Sequence, residues 1–442
     1  MRGRMWGNIV VLLIAAFLGE CLEFLIQMML ARELGEEGLG MYMSLLPTIM
    51  FLVVIASFEI PVSLSKMIAE TKESYHLSLL QHVIRFVTAF TLFCMVGAIL
   101  LFPLIPVFNS YHEALPFLLF ILIPIISFSS VARGYFMGVS KMTMIAGANF
   151  LRRAVQLVLL ILLFQLLRVS GEIAILLSIS TLIATEAVVL TFLSLFLWKD
   201  IKGMKKEMSE TIENDTVFRR LFSVSLPTTG LRVFHAASFA VKPFLIKFAL
   251  MQAGVEEEIA VSQYGELAGV AFAIGFFPAF IAHVLLIVFI PAVSRLYAQK
   301  NIPQLKRLFW NAMKGTMVYA TPAAILFYSF ADPLTALFFD ESLASLYLQL
   351  LVPYFFFHFF VIPMQAFLIG LGLIKDAFYH AVWSTFFSYV CMFVLGSLPS
   401  LQMDGIIIGM NAGVVLLTWM HFLTIQHRLK EPVFFHWKEA IR

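Results

Sequence analysis

The chain has 442 residues, of which 61% are hydrophobic and only 13% charged, and its mean hydropathy is +0.93. A soluble protein of this length needs a larger charged surface, and a net charge of +3 is too small to mark a nucleic-acid binder. Apolar runs of about 20 residues, each able to cross a hydrocarbon core of ~30 Å as a helix, alternate with short polar loops. The fold class is an all-α polytopic membrane protein.

The chain opens with a basic segment, MRGRMWGN, that leads directly into an apolar run ending near Leu30. That run carries Glu20 and Glu23 and no small-residue cleavage site, so it reads as the first spanning helix and not as a removable signal. Twelve spans follow from the hydropathy pattern, at 8–31, 42–65, 84–108, 115–138, 143–167, 172–198, 221–250, 264–292, 309–330, 344–370, 376–398 and 404–427. An even count puts both termini on one side. Nearly all loop lysines and arginines then fall on that side too, leaving only Arg32, Arg168 and Lys247 on the other. The positive-inside rule makes the shared side cytoplasmic.

Four basic residues, Arg152, Arg153, Arg232 and Lys242, lie inside spans. The cysteines, Cys21, Cys94 and Cys391, are scattered through apolar runs and suggest neither a disulfide framework nor a metal cluster. No nucleotide-binding loop, zinc-spaced His/Cys set or nucleophile elbow occurs, so no enzymatic activity and no cofactor are expected.

The longest inner loop, Lys199 to Arg220, is strongly polar and divides the chain. The expected organisation is a six-helix bundle over 1–200, a cytoplasmic linker over 201–220, a second six-helix bundle over 221–430 and a tail over 431–442. The halves repeat weakly. Ser65-Lys66-Met67-Ile68-Ala69-Glu70 after Pro61 matches Ser294-Arg295-Leu296-Tyr297-Ala298-Gln299 after Pro291, and Gly138-Val139-Ser140-Lys141 matches Gly372-Leu373-Ile374-Lys375 at a nearly equal offset. Six helices per half makes the repeats parallel, about an axis along the membrane normal.

Ionisable residues inside spans are costly and usually face a cavity or a partner. Glu20, Glu23 and Gln27 share one face of the first span; Asn149, Arg152, Arg153 and Gln156 band the fifth; Glu186 lies near the middle of the sixth. Arg232 and His235 lie near the centre of the seventh, and Lys242 lies further out, at a depth from which it can snorkel. The functional reading is that Arg152, Arg153, Arg232, His235 and Lys242 line a cavity for an anion, with Asn149, Gln156 and Glu186 as further polar lining. Arginine suits phosphate or diphosphate, because its planar fork donates two parallel hydrogen bonds and stays charged. Glu20 and Glu23 are candidates for coupling to H+ or Na+, or for holding the arginines apart between substrates; the membrane potential is a further source of coupling. The bland reading has Glu20 or Glu23 paired with Arg232, and Glu186 paired with Arg152 or Arg153, as structural salt bridges. Glu59, before Pro61, is expected to reach the inner interface, and His283 and His358 to be packing residues. Pro227, Pro243, Pro278, Pro322 and Pro363 are expected to kink or break their helices.

One stretch carries a resemblance. Arg32, Leu34, Gly35, Gly40 and Tyr42 form an Arg-x-Leu-Gly-x-x-x-x-Gly-x-Tyr turn, followed by Pro61, Ser65 and Lys66 at the end of the second span. This resembles the multidrug/oligosaccharidyl-lipid/polysaccharide (MOP) exporter superfamily. Arg133-Gly134-Tyr135-Phe136-Met137-Gly138 with Lys141-Met142-Thr143 is similar to its polysaccharide-transporter branch, among the stage V sporulation protein B-like and YkvU-like proteins. The resemblance runs over the whole chain. It implies two bundles in a V shape around a central cavity, alternating access by rocking, and polyprenyl-linked oligosaccharides as substrates at a bacterial plasma membrane, with membrane lipids and envelope-synthesis proteins as partners. Cavity arginines are essential in the peptidoglycan-precursor flippases of the superfamily, but their motifs do not map onto this chain residue by residue. The two extra C-terminal helices of those flippases have no counterpart here either. The resulting expectation is a flippase for an anionic lipid-linked saccharide or spore-envelope precursor. The alternatives are a cation-coupled multidrug exporter of the same fold, and a non-transporting scaffold for envelope synthesis.

Overall fold

The structure is a computed structural model, and it describes residues 2–104, 111–167, 169–204, 214–340 and 342–429. Arg168, the 105–108 end of the third expected span, linker residues 205–213 and the 431–442 tail lie outside the described residues. Among the described residues every regular element is helical.

The first helix, α1 (Arg2–Ser57), is two helices joined end to end at Gly35, whose φ of 70° and ψ of 179° only glycine adopts without cost. The Arg-x-Leu-Gly turn thus separates the first two spans without a loop. The second span is broken again at Phe58 and Glu59, both left-handed at φ 43° and 49°. It resumes as α2 (Ile60–Glu70), with a proline in its first turn, where the missing N–H costs nothing. Then follow α3 (Glu73–Leu101), α4 (Leu115–Gly138), α5 (Met142–Leu167), α6 (Gly171–Met204) and α7 (Asn214–Gln252).

The eighth expected span, 264–292, is not one helix. It runs as α8 (Glu257–Gly265), a π-helical turn over Glu266–Ala271, α9 (Phe272–Phe276) and α10 (Ala279–Ala298), interrupted at Phe277 and Pro278. The remainder is α11 (Ile302–Ser329), α12 (Ala331–Thr335), α13 (Ala344–Leu350), α14 (Val352–Gly370), α15 (Ile374–Gly396) and α16 (Gln402–Arg428). The tenth expected span, 344–370, divides at Leu351 just before Pro353. Pro322 and Pro363 lie inside the continuous helices α11 and α14.

Among the described residues, 11 helical stretches are long and apolar enough to cross a membrane. The first, Leu13–Glu70 at 58 residues, holds two expected spans on either side of Gly35, and the stretches 257–276 and 279–298 are the two parts of the broken eighth. The helix α11 is long enough, with 28 residues, but Lys306, Arg307 and Lys314 lower the hydropathy of its first half. A fold of twelve membrane helices accommodates all of this.

The chain forms two compact units: residues 33–241, called here the N-unit, and residues 1–32 with 242–442, the C-unit. The packing division therefore falls inside α1 and inside α7, not at the 201–220 linker. Lipid tails are as apolar as leucine, so burial between helices gains little from the hydrophobic effect, and close packing decides. In the N-unit, glycines of the 133–138 motif let α4 approach α2. A Cβ on Gly134 would meet Leu64 Cβ at 3.0 Å, and one on Gly138 would meet Ile68 Cβ at 2.5 Å and the Ser65 carbonyl at 3.0 Å. In the C-unit the same device recurs at Gly370, against Val293 Cβ at 2.7 Å and the Ile290 carbonyl at 3.0 Å. Gly405, Gly409 and Gly413 form a second stripe, which seats α16 on Leu395, Met392 and Ser388 of α15. Phe309, Phe338, Phe355, Phe359 and Phe367 are fully buried in the C-unit.

Candidate substrate site

The N-unit holds two groups of charges inside apolar helices. The first joins α4, α5 and α6. Glu186 is ion-paired with two arginines: Arg152 Nε lies 3.8 Å from Oε1, and Arg133 Nη2 lies 3.5 Å from Oε2. Arg133 also donates from Nη1 to Asn149 Oδ1 at 2.9 Å and from Nε to Ser129 Oγ at 3.4 Å. All three charged side chains are mostly shielded, at 22% exposure for Arg133, 24% for Arg152 and 14% for Glu186. Gln156, one turn beyond Arg152, is buried, and Arg153 is half-buried. Of the expected residues, Arg152 and Glu186 are thus paired directly, and Asn149 joins them through Arg133.

The second group sits at the break in the second span. Arg232 Nη1 of α7 donates to Glu59 Oε1 at 2.5 Å. The two ends of this pair differ sharply in surroundings: the Glu59 side chain is 3% exposed and that of Arg232 is 57% exposed. Glu59 is held there by backbone geometry. It is the left-handed residue before α2, its carbonyl accepts from Ser63 Oγ at 3.1 Å, and Ser63 in turn accepts from Ser225 Oγ of α7 at 2.7 Å. A left-handed residue that is not glycine costs ~1–2 kcal/mol, and two in succession at Phe58 and Glu59 mark a place where the fold over-determines the backbone. Phe58 packs on Phe86, Phe90 and Phe222, which fixes the turn from the apolar side.

Two residues of these groups were not among the sequence candidates. Arg133 counts on the sequence as an inner-loop charge, although it lies five residues inside α4. Glu59 was assigned to the inner interface, and it is buried and paired. The carboxylate on Arg232 is thus Glu59, and neither Glu20 nor Glu23 is needed for that role. Further along α7, His235 is exposed, with its ring edge-on to Phe234.

The remaining candidates belong to the C-unit. Lys242 does not reach for an interface. Its ammonium lies 5.0 Å from the Phe272 ring centre and 6.0 Å from that of Tyr354, within range of cation–π attraction. Tyr354 stacks on Phe272 and on His358, and Phe276 closes on His358 edge-on, so His358 is part of an aromatic layer, as expected of a packing residue. His283 lies one turn from Ala279, whose carbonyl is 2.8 Å from its Nδ1. The π-helical turn places the buried Glu266 on the segment immediately before Phe272; such turns often accompany functional positions. Glu20 and Glu23 are half-buried on α1, between Phe17 and Phe24, which pack on Phe277, Phe280 and Phe338. Among the described residues, no group of three or more His, Cys, Asp or Glu side chains has the geometry to hold a metal ion.

Residues 5–297 match the family described as "Polysaccharide biosynthesis protein". The chain is 48% identical over 431 residues, 98% of its length and 97% of the other's, to "Sporulation protein YkvU" of Bacillus subtilis (strain 168). The chain belongs to the polysaccharide biosynthesis protein family. A second Bacillus subtilis (strain 168) relative of this family member is "Stage V sporulation protein B", 29% identical over 94% of this chain and 82% of that one. Among solved structures, the family member's fold is similar to an inward-facing multidrug resistance MATE family transporter of the MOP superfamily (TM-score 0.75, 15% identity, 93% and 94% of the two chains). It is also similar to a MOP superfamily transporter from Pyrococcus furiosus, described as having a binding pocket of reverse polarity (TM-score 0.66, 18% identity, 96% and 95%). At these identities the structural likeness establishes the fold alone, that of a multi-pass helical membrane protein.

Proposed function

We propose that this chain is a flippase or exporter that moves an anionic, polyprenyl-linked saccharide across a bacterial plasma membrane by alternating access, with both termini cytoplasmic. The head-group phosphates bind Arg152, Arg153 and Arg232, with His235 as further polar lining, while the polyprenyl tail stays in lipid. The observation that carries the reading is the Arg232 guanidinium. It sits in an apolar helix, more than half exposed, with its carboxylate partner buried behind it. A guanidinium so presented offers free N–H groups to a phosphate, which accepts them two at a time. The spans of the N-unit also hold more arginine than carboxylate, with Arg85, Arg133, Arg152, Arg153 and Arg232 against Glu59, Glu172 and Glu186. That balance favours an anion over the cationic drugs a multidrug exporter would carry. The family description supports a saccharide cargo, and the sporulation proteins among the relatives support a spore-envelope or peptidoglycan precursor.

The test is transbilayer movement of a fluorescent lipid-diphosphate saccharide in proteoliposomes. Single Arg152→Ala, Arg153→Ala and Arg232→Ala variants, each confirmed as folded, are expected to slow it by tenfold or more. Unchanged movement in all three would favour a scaffold role. Proton-driven drug efflux that is lost in Glu20→Gln or Glu23→Gln, with no lipid movement in any variant, would favour the multidrug reading.

A further inference from the structure

We infer that Glu59 is a proton-binding site whose occupancy is exchanged for the substrate anion on Arg232, so that one proton is taken up for each head group bound there. This rests on the head-group reading of Arg232 and adds a coupling ion to it. The two members of the pair are not alike. Arg232 is 57% exposed and can turn its guanidinium toward an arriving phosphate, whereas Glu59 is 3% exposed and fixed on a left-handed backbone position at the start of α2. When the arginine turns away, the carboxylate cannot follow.

Among the described residues, Arg232 is the one basic side chain within ion-pair distance of Glu59. Among the described residues, hydroxyls near it include Ser63 on α2 and Ser225 on α7, and Ser63 is engaged with the Glu59 carbonyl and not with its carboxylate. On α4, packed against α2, Ser127 is turned to the Ala56 carbonyl, and the charged Arg133 is turned to Glu186 and Asn149. A buried carboxylate without a cation or hydrogen-bond donors is costly, and taking a proton removes that cost. The charges balance. The pair is neutral before binding; one negative charge from the phosphate and one proton on Glu59 leave it neutral afterwards.

The second carboxylate sets the stoichiometry. Glu186 is shared between Arg133 and Arg152, at 3.5 Å and 3.8 Å. If a phosphate draws Arg152 away, Arg133 remains beside Glu186 as its counter-charge. The uptake is therefore one proton and not two, and it belongs to Glu59.

The experiment is calorimetric titration of the full-length protein in nanodiscs with farnesyl diphosphate, in two buffers of different ionisation enthalpy. It is repeated across a pH range in which the probe itself is fully ionised. One proton per anion means that wild-type affinity falls by up to tenfold per pH unit, by linkage between the two ligands. Glu59→Gln is expected to bind with no proton uptake and no pH slope, and Glu186→Gln to keep the uptake of one proton whatever its affinity. If Glu59→Gln does not fold, the wild-type proton count and slope still decide. Binding without proton uptake in the wild type overturns this inference and leaves the head-group reading standing. Uptake that persists in Glu59→Gln overturns the assignment to Glu59. Absence of binding overturns the head-group reading and this inference with it.

Discussion

The pair of Glu59 and Arg232 makes opposite predictions for its two members. Removing the arginine leaves a buried carboxylate that only a proton can neutralise, and losing one partner of a buried pair costs ~3 kcal/mol or more. Removing the carboxylate's charge leaves an arginine that is already 57% exposed and can hydrate. Arg232→Ala is therefore expected to lower the thermal unfolding midpoint in detergent well below that of Glu59→Gln. The double variant is expected to recover most of the loss, a coupling that a double-mutant cycle reads directly. Equal losses from the two single variants would contradict the asymmetry. Arg133→Lys provides a second check. The charge is kept, but the fork that reaches Glu186 and Asn149 together is not, so the variant is expected to be destabilised by ~1 kcal/mol or more despite the conserved charge.

These two residues also show where the sequence stopped being informative. The pairing of Glu186 with Arg152 was legible as one of the sequence's alternatives, because mid-span charges have few ways to be satisfied other than by each other. Glu59 was not. Counted along an unbroken helix, it lies near the inner end of its span, where a carboxylate reaches water. The left-handed turn at Phe58 and Glu59 redirects it inward, and no residue type there announces such a turn. Arg133 was hidden by the same counting, since a basic residue near a helix end also satisfies the positive-inside rule.

At the scale of helices, the glycines divide into those that permit contact and those that do not. Gly409 on α16 faces the backbone of α15; a Cβ there would meet Met392 N at 2.5 Å, and backbone cannot move aside as a side chain can. Gly409→Val is expected to separate α15 from α16 and to destabilise the protein by ~2 kcal/mol or more, in the range of overpacked sites. Gly147 on α5 has nothing within 4 Å of its would-be Cβ. Gly147→Ala is expected to be neutral or to stabilise by ~0.5–1 kcal/mol through helix propensity alone. Thermal unfolding of both variants checks the pair of expectations. The repeat motif at Gly138 was visible in the sequence as a pattern, but its reason, the approach of α4 to Ser65 and Ile68, needs the fold. The prolines were half legible. Pro278 accompanies the interruption of the eighth span, while Pro322 and Pro363 are absorbed into continuous helices, because freed carbonyls in membrane helices find other partners.

For the whole molecule, the helical membrane class and its approximate span count follow from composition and hydropathy, which depend on sums over many residues and tolerate local errors. The division into packing units did not follow. It cuts α1 after Arg32 and α7 after Val241, where the helices run on without a composition change. The cytoplasmic placement of both termini is a prediction that labelling can decide. In a background with Cys21, Cys94 and Cys391 replaced by alanine, an impermeant maleimide added to intact cells is expected to modify Glu36→Cys and Glu256→Cys but not Lys300→Cys. The reverse pattern would invert the topology.

The proposed role of Arg232 is to hold the head group of an anionic lipid-linked substrate. The most direct measurement is movement of the lipid-diphosphate saccharide by proteoliposomes carrying the Arg232→Ala, Glu59→Gln double variant, in which the stability lost with the arginine alone is restored. The expected rate is at least tenfold below wild type, for a protein of near wild-type unfolding midpoint. Wild-type movement by that variant would contradict it.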